Sequence, residues 1–395
     1  MTHTMRRNYP QLDTMRAVGA IAVVGTHTSF WSGVIGNGLW GAATQRLEVG
    51  VAIFFVLSGF LLSRPYLQTL HGEGRHDSTG RYFWKRVLRI FPVYAVCVIG
   101  AFLLIAENRA LGFGRFLKNL TLIDLYVSDS LPQGLTQMWS LTTEVAFYLI
   151  LPVLMAFVVR ILCRRQWKPL RIVWFFASLY VINIVATSVS TGTIAHLDGW
   201  VGRSLLTHIG WFALGMTLAV MTLDETESRL RLTRIAIQVA RERAACWTAA
   251  VALFILAATP LAGSPFLVAI SPTEAVTRNL LYGAIAMLLI LPCVLGDPET
   301  TTARSFAHPV LRHLGHISYS LFCCHVAIIY VLAPKLGFDL FQGRPFALFF
   351  VILGISLVVS ELLYRVIELP FLRLKAWRSD PTRPATIPSV TATQI

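Results

Sequence analysis

The chain has 395 residues, of which 55% are hydrophobic and 14% charged, against roughly 25% charged in a soluble globular domain. With a mean hydropathy of +0.63 this excludes an ordinary soluble protein and points to an all-α, polytopic membrane helix bundle. The net charge of +14 and pI near 9.9 would suggest nucleic acid in a soluble chain; here basic residues gathered on cytoplasmic loops explain it, so the expected partner is the bilayer and not nucleic acid.

Apolar runs able to span about 30 Å of hydrocarbon occur at about 13–31, 47–67, 87–106, 139–160, 171–188, 204–221, 244–261, 277–296, 316–334 and 346–368. They predict ten transmembrane helices. Arg6 and Arg7 precede the first run with no small-residue cleavage site after it, so the N-terminus is expected to be a retained anchor. With that end inside, 26 of the 34 Lys and Arg fall on the inner side and 8 on the outer. The positive-inside rule then places both termini in the cytoplasm. Residues 1–378 read as one transmembrane domain without internal repeats. Residues 379–395, rich in Pro, Thr and Ser, read as a disordered tail. The six Cys form no Cys-x-x-Cys pair, so neither a metal site nor a disulfide framework is expected.

The first run carries Arg16 and His27. They are eleven residues apart, which returns to nearly the same helix face about 16 Å further along the axis. Arg16 is thus expected at one membrane surface and His27 deep on the same stripe, where an ionisable group marks a functional site or a polar contact to a neighbouring helix. In 50–62, Ser58-Gly59 reads as small-residue helix packing. In 81–92, Arg86 and Arg89 share a face, and guanidinium forks suit phosphate oxygens; plain membrane anchoring is the bland alternative. The outer segment 107–138 is too short to span and is expected to fold back as a lid or re-entrant piece.

Met138 to Tyr148 opens the fourth run from outside. Glu144 then lies on the same leaflet side as His27, where a carboxylate can orient the imidazole; a carboxylate favoured by the helix dipole is the alternative. The inner segment 224–243 mixes Arg with Leu, Ile and Val, as a basic amphipathic helix on the inner leaflet does, or a solvated connector. In 315–325, His325 falls near mid-membrane. Glu361/Arg365 and Glu368 before Pro370 read, with His325, as polar glue between helices.

These pieces together resemble the acyltransferase 3 family of integral membrane acyltransferases. The carriers are Arg16-to-His27, Phe54-Phe55-Val56-Leu57-Ser58-Gly59-Phe60-Leu61, Arg86-x-x-Arg89, Trp139-Ser140-Leu141 with Glu144, and Ile317-Ser318-Tyr319-Ser320 with His325. They run from about residue 9 to 371. Thr14, His208 and Leu369 stand where the family usually has Gly, Arg and a basic residue. The resemblance implies a ten-helix core that moves an acyl group from cytoplasmic acyl-CoA, a co-substrate and not a bound cofactor, to a hydroxyl on a cell-envelope glycan or glycolipid. It implies an essential His27, a basic Arg16, and Arg86 and Arg89 as the cytoplasmic pair. An outer esterase domain found in some relatives is not expected here.

Joined to the residue reading, this gives His27 as general base with Glu144 orienting it, and Arg16, Arg86 and Arg89 as the acyl-CoA site. His325, Trp139, Ser140, Tyr319 and Asp13 are expected in the pocket or its support. Acetyl and succinyl are the expected acyl groups; a dicarboxylic acyl chain would want a further cation, Arg203 or Arg278. An exporter of a lipid-linked sugar is the competing function, though the inverted repeats that mark such proteins are not visible. A scaffold would leave the Arg16/His27 stripe unexplained.

Overall fold

The computed structural model describes residues 9–74, 76–128, 130–192, 202–225, 230–264 and 270–374. No strand occurs among them, so the fold is all-α. Arg6, Arg7 and the tail from 379 onward lie outside the described residues. The principal helices are α1 (Gln11–Ser32), α2 (Gly50–His71), α3 (Thr79–Leu104), α4 (Met138–Ala156), α5 (Pro169–Gly192), α6 (Ile209–Asp224), α7 (Arg231–Arg241), α8 (Arg243–Ala257), α9 (Pro272–Val294), α10 (Pro309–Leu332) and α11 (Pro345–Leu363).

Every apolar run read from the sequence overlaps one of these helices, and α7 lies between runs. Seven of the described helices are long and apolar enough to cross a membrane. The helices of the other three apolar runs fall short for two reasons. α1 has 22 residues but carries Asp13, Arg16, Thr26 and His27. α6 and α8 have 16 and 15 residues, fewer than the roughly 20 a span needs.

α1 packs between α2 and α10; α2 continues the layer onto α6, α6 onto α5, and α8 onto α9. The apolar windows of α2 and α10 are 67% and 61% buried, those of α4, α5 and α11 only 28%, 22% and 22%. The first pair therefore forms the middle of the bundle, and the second set faces outward with exposed Leu, Val, Ile and Phe, as lipid-facing helices do. The central contacts are close because glycines permit them. A methyl group on Gly59 would run into the Phe212 carbonyl, and one on Gly215 into the Val56 carbonyl and, at 2.7 Å, the Phe60 nitrogen. Gly59 therefore serves packing between α2 and α6. Gly215→Ala is expected to lose about 1–3 kcal/mol of stability, seen as a shorter thermal half-life in detergent. Gly100→Ala, where a methyl meets nothing within 4 Å, should leave it unchanged.

Two buried arginines lock helix ends. Arg46, fully buried, donates from Nε to the Ala257 carbonyl at 2.8 Å and from Nη2 to those of Ala262 and Gly263 at 3.1 and 2.5 Å. It thus closes the C-terminal end of α8, where free carbonyls and the helix dipole favour a cation. Arg243 at the start of α8 reaches Gln11 Oε1 at 2.6 Å and the Pro292 carbonyl at 2.9 Å.

α11 runs on through a π-helical turn, Tyr364–Glu368, into a short helix, Leu369–Arg373. Pro370 lacks an N–H and its ring crowds the carbonyl four residues back, which accounts for the widened turn. Glu361 bridges α10 and α11, meeting His313 at 2.7 Å and Arg365 at 2.5 Å. In α7, Leu232, Ile235 and Val239 are exposed between exposed arginines while Ala236 and Ala240 are buried, the amphipathic arrangement anticipated for 224–243.

The 107–138 segment folds back into the bundle, one of the two arrangements expected for it, and does not cover a cavity as a lid would. It holds three short helices within 106–127 and packs onto α3 and α10. Tyr94 donates to the Asn119 carbonyl, Asn108 Nδ2 to the Ala101 and Gln133 carbonyls at 3.1 and 2.8 Å, and Gln137 Nε2 to the Cys323 carbonyl at 3.0 Å. None of its described residues lines either of the two cavities described below.

Candidate active site

One end of the bundle, where α1, α3 and α10 begin, holds a cavity of about 800 Å³. Its walls include Arg16, Arg86, Arg89, Glu144, Ser140 and Tyr319. Six of the residues singled out in the sequence therefore come together from α1, α3, α4 and α10. The three cations differ in how they are held. Arg16 is bound to Asp13 at 3.0 Å, and Asp13 also lies 3.6 Å from both Arg312 and His316. Asp13 is thus a support beneath the wall. Arg89 is paired with the buried Glu368 and lies over the Tyr319 ring at 5.7 Å. Glu368 also accepts from Ser320 Oγ at 2.8 Å, and Tyr319 donates to the Ile90 carbonyl at 2.7 Å. Arg86 lies 5.8 Å over the Tyr148 ring; among the described residues it has no ion pair, and its Nε is buried without a partner. A guanidinium left like this in a cavity wall suits an anionic ligand.

Glu144 belongs to this cavity rather than to His27. Its Oε1 accepts from Ser58 and, at 2.6 Å, from Tyr148 Oη. Ser58 and Tyr148 are cavity residues the sequence did not distinguish; Ser58 had only a packing role in view of its neighbour Gly59. The expectation that Glu144 orients the imidazole is corrected accordingly. α4 begins beside Cys323, near the level of the histidine pair, so Glu144, roughly 10 Å further along the helix, meets α2 at the arginine end.

His27 is held by other groups. Its Nδ1 lies 2.8 Å from the Val23 carbonyl and 3.3 Å from His325 Nε2. His325 is fully buried, its own Nδ1 2.9 and 3.0 Å from the Phe322 and Leu321 carbonyls. A carbonyl only accepts, so each neutral ring carries its proton on Nδ1. His325 Nε2 is then an acceptor facing the His27 Nδ1–H, and His27 Nε2 carries a lone pair with no protein partner among the described residues. The rings meet edge-on, 5.0 Å between centroids. His325 thus fixes the tautomer and tilt of His27, a task that a carboxylate performs in other sites.

The arginine-lined cavity stops short of this pair. Phe322 borders the cavity, with its ring 6.2 Å from that of His325 and 6.2 Å from that of Phe54. His27 lies beyond these two rings, partly exposed, and its neighbour Thr26 donates to the Gln45 carbonyl at 2.5 Å, which brings the turn that carries Glu48 against this part of α1. Glu48 borders a second cavity, of about 1460 Å³, at the opposite end. Trp139 lines that cavity, not the first. Glu48 gives little signal in the sequence beyond being a carboxylate at the mouth of the second apolar run.

A family model described as an acyltransferase domain, that of the acyltransferase 3 family, matches residues 9–365. The chain belongs to the acyltransferase 3 family. Its seven span-length apolar helices and this membership make it a multi-pass membrane protein. Nodulation protein 10 of Rhizobium leguminosarum bv. viciae is 29% identical over 180 residues, 40% of this chain and 45% of that protein. A Staphylococcus aureus (strain COL) protein named for O-acetyl transfer is 24% identical over 415 residues, 97% of this chain and 60% of its own length. Peptidoglycan O-acetyltransferase OatA of Listeria monocytogenes is 24% identical over 400 residues, 93% and 56% of the two chains. The chain thus spans 45–60% of the length of these curated relatives. No solved structure matches it.

Three departures from the usual acyltransferase 3 pattern find places in the structure. Thr14 is buried and donates to the Phe306 carbonyl at 2.5 Å, tying α1 to the segment before α10. His208 is buried, Nδ1 3.0 Å from the Ser204 carbonyl, among Phe55, Trp139 and Trp211. Leu369 follows the π turn and makes no polar contact; nothing in the structure explains the change from a basic residue.

Proposed function

We propose that this acyltransferase 3 protein is a membrane O-acyltransferase that takes an acyl group, acetyl or succinyl, from cytoplasmic acyl-CoA and delivers it to a hydroxyl of a cell-envelope glycan or glycolipid. The observation that carries the reading is the pairing of an arginine-lined cavity, where Arg86 has no counter-ion among the described residues, and a histidine beyond it whose Nε2 has no partner among them. The relatives' names supply the direction of the chemistry: one is an O-acetyltransferase of peptidoglycan. The positive-inside bias puts the arginine end in the cytoplasm, with both termini.

On this reading Arg86, with Arg16 and Arg89 behind it, receives the phosphates of acyl-CoA. The pantetheine arm, about half a bilayer long, passes Phe54 and Phe322 and brings the thioester to His27. The acceptor oxygen attacks the thioester carbonyl carbon as His27 Nε2 takes its proton. The C–S bond breaks, and the thiolate leaves as the proton is returned to it. Glu48 stabilises the imidazolium formed in between. Glu144, Ser58 and Tyr148 form the polar rim along the arm. An exporter gains no support, since none of the relatives named is one.

Purified protein given radiolabelled acetyl-CoA and a glycan acceptor should release free thiol only when acceptor is present and label the glycan one for one. Release of no thiol with any glycan hydroxyl would remove the transferase reading. Arg86→Gln should raise the KM for acyl-CoA by about ten-fold or more, as loss of a charge-assisted contact of about 1.5–3 kcal/mol does. Its kcat should change little, because the phosphates lie far from the reacting carbon.

A further inference from the structure

The 1460 Å³ cavity at the end opposite the arginines has so far served only to border Glu48. We propose that it is the acceptor site and that it selects glycans carrying an acidic group, a carboxylate or a phosphate ester. The chemistry done there rests on the transferase reading; the binding does not.

The charge of the cavity is the first observation. Arg203 and Arg278 both line it, and among the described residues neither makes an ion pair. Among the described residues its one lining carboxylate, Glu48, is already engaged: it accepts from Tyr282 Oη at 2.8 Å and lies 4.0 Å from the fully buried Arg46. Glu274, one turn before Arg278, is held in a capping box by the Ser271 backbone and hydroxyl at 2.6 and 2.7 Å. Two guanidiniums therefore line the space with no ion pair to a carboxylate among the described residues. Their planar forks fit a carboxylate or phosphate in two-point contact.

The rest of the wall fits a sugar. Trp139 and Trp211 stand against His208, 5.2 and 4.9 Å between centroids, and Tyr282 is 6.2 Å from Trp211. Such aromatic faces take the apolar side of a pyranose ring. Thr187, Ser190 and Thr191 also line the cavity. Thr187 is 8% exposed and its Oγ1 is buried without a hydrogen-bond partner, a hydroxyl that a polar ligand would satisfy. Glu48 follows Gln45, whose carbonyl accepts from Thr26 beside His27 at 2.5 Å, which sets this wall of the cavity against the part of α1 that carries the base.

The test uses the full chain in lipid nanodiscs and three matched oligosaccharides: a neutral N-acetylglucosamine oligomer, the same oligomer with a carboxylate, and the same with a phosphate. Equilibrium binding is measured without acyl donor. At least one acidic oligomer should bind ten-fold or more tightly than the neutral one, and which one does identifies the acidic group. The double variant Arg203→Gln/Arg278→Gln should erase that preference while leaving acyl-CoA binding at the opposite end within two-fold. Equal affinity for all three, no binding of any, or an undiminished preference in the double variant would overturn the proposal. Acyl transfer is then measured on the same samples. Acid-selective binding with no transfer to any oligomer would sink the transferase reading and leave the site standing.

Discussion

Replacing His27 with alanine should reduce acyl transfer by roughly 10²–10⁴-fold, the range that a positioned general base supplies, while acyl-CoA binding stays within two-fold. The prediction follows from tautomer geometry. With Nδ1 committed to the Val23 carbonyl and to His325, Nε2 is the nitrogen left to take the acceptor's proton. The substitution removes that base but no counter-ion of Arg16, Arg86 or Arg89, so the donor site stays intact. Size-exclusion behaviour in detergent and donor affinity report whether the bundle has survived. His325→Phe should act indirectly. It removes the acceptor that steadies the His27 ring, so kcat should fall less than in His27→Ala and the pH profile should move; an unshifted profile would leave His325 a packing residue. A stoichiometric burst of free CoA from wild-type protein without acceptor would favour an acyl-His27 intermediate over direct attack.

Glu368→Leu should be the most destabilising single change at the arginine end, by about 3–5 kcal/mol. Glu368 is fully buried and the Arg89 side chain only 14% exposed. Removing the carboxylate strands a buried guanidinium, and the cost comes from that orphaned charge more than from the pair's own attraction. The partner change separates structure from function. The double variant Arg89→Met/Glu368→Leu should recover much of the lost thermal half-life, because an apolar pair of similar volume replaces a desolvated ion pair. Its KM for acyl-CoA should nonetheless stay raised, because the cavity has lost one cation. Recovery of both stability and donor affinity would make Arg89 purely structural.

The helices were legible in the sequence because a run of apolar residues long enough to cross hydrocarbon is the strongest local signal a chain carries. Even α1, weak in hydropathy, was marked by the cation and imidazole on one stripe. What was not legible was which polar groups meet across helices. His27 and His325 are 298 residues apart, and Arg89 and Glu368 are 279 apart; nothing local chooses such partners. Glu144 shows the limit most clearly. Depth can be counted along a helix only once the level of its first residue is known, and that level depends on the neighbours. α4 starts beside Cys323 and not at the outer surface, so Glu144 reaches Ser58 and Tyr148 instead of the ring. Ser58 escaped notice for a related reason. Beside Gly59 a small hydroxyl reads as packing, and Gly59 does pack, but one residue on, the helix face has changed. The second cavity was equally hidden, since Trp139, His208, Arg278 and Glu48 come from four different segments.

The central claim is that donor and acceptor reach His27 from opposite ends of the bundle. It is tested most directly in sealed proteoliposomes with the protein inserted in one orientation. Acyl-CoA is added only at the face bearing Arg86 and the glycan acceptor only at the other. Acylated glycan should accumulate on the acceptor side as free CoA accumulates on the donor side, at the same rate, and His27→Ala vesicles should show neither. Acylation that appears only when both substrates share one face would contradict the account.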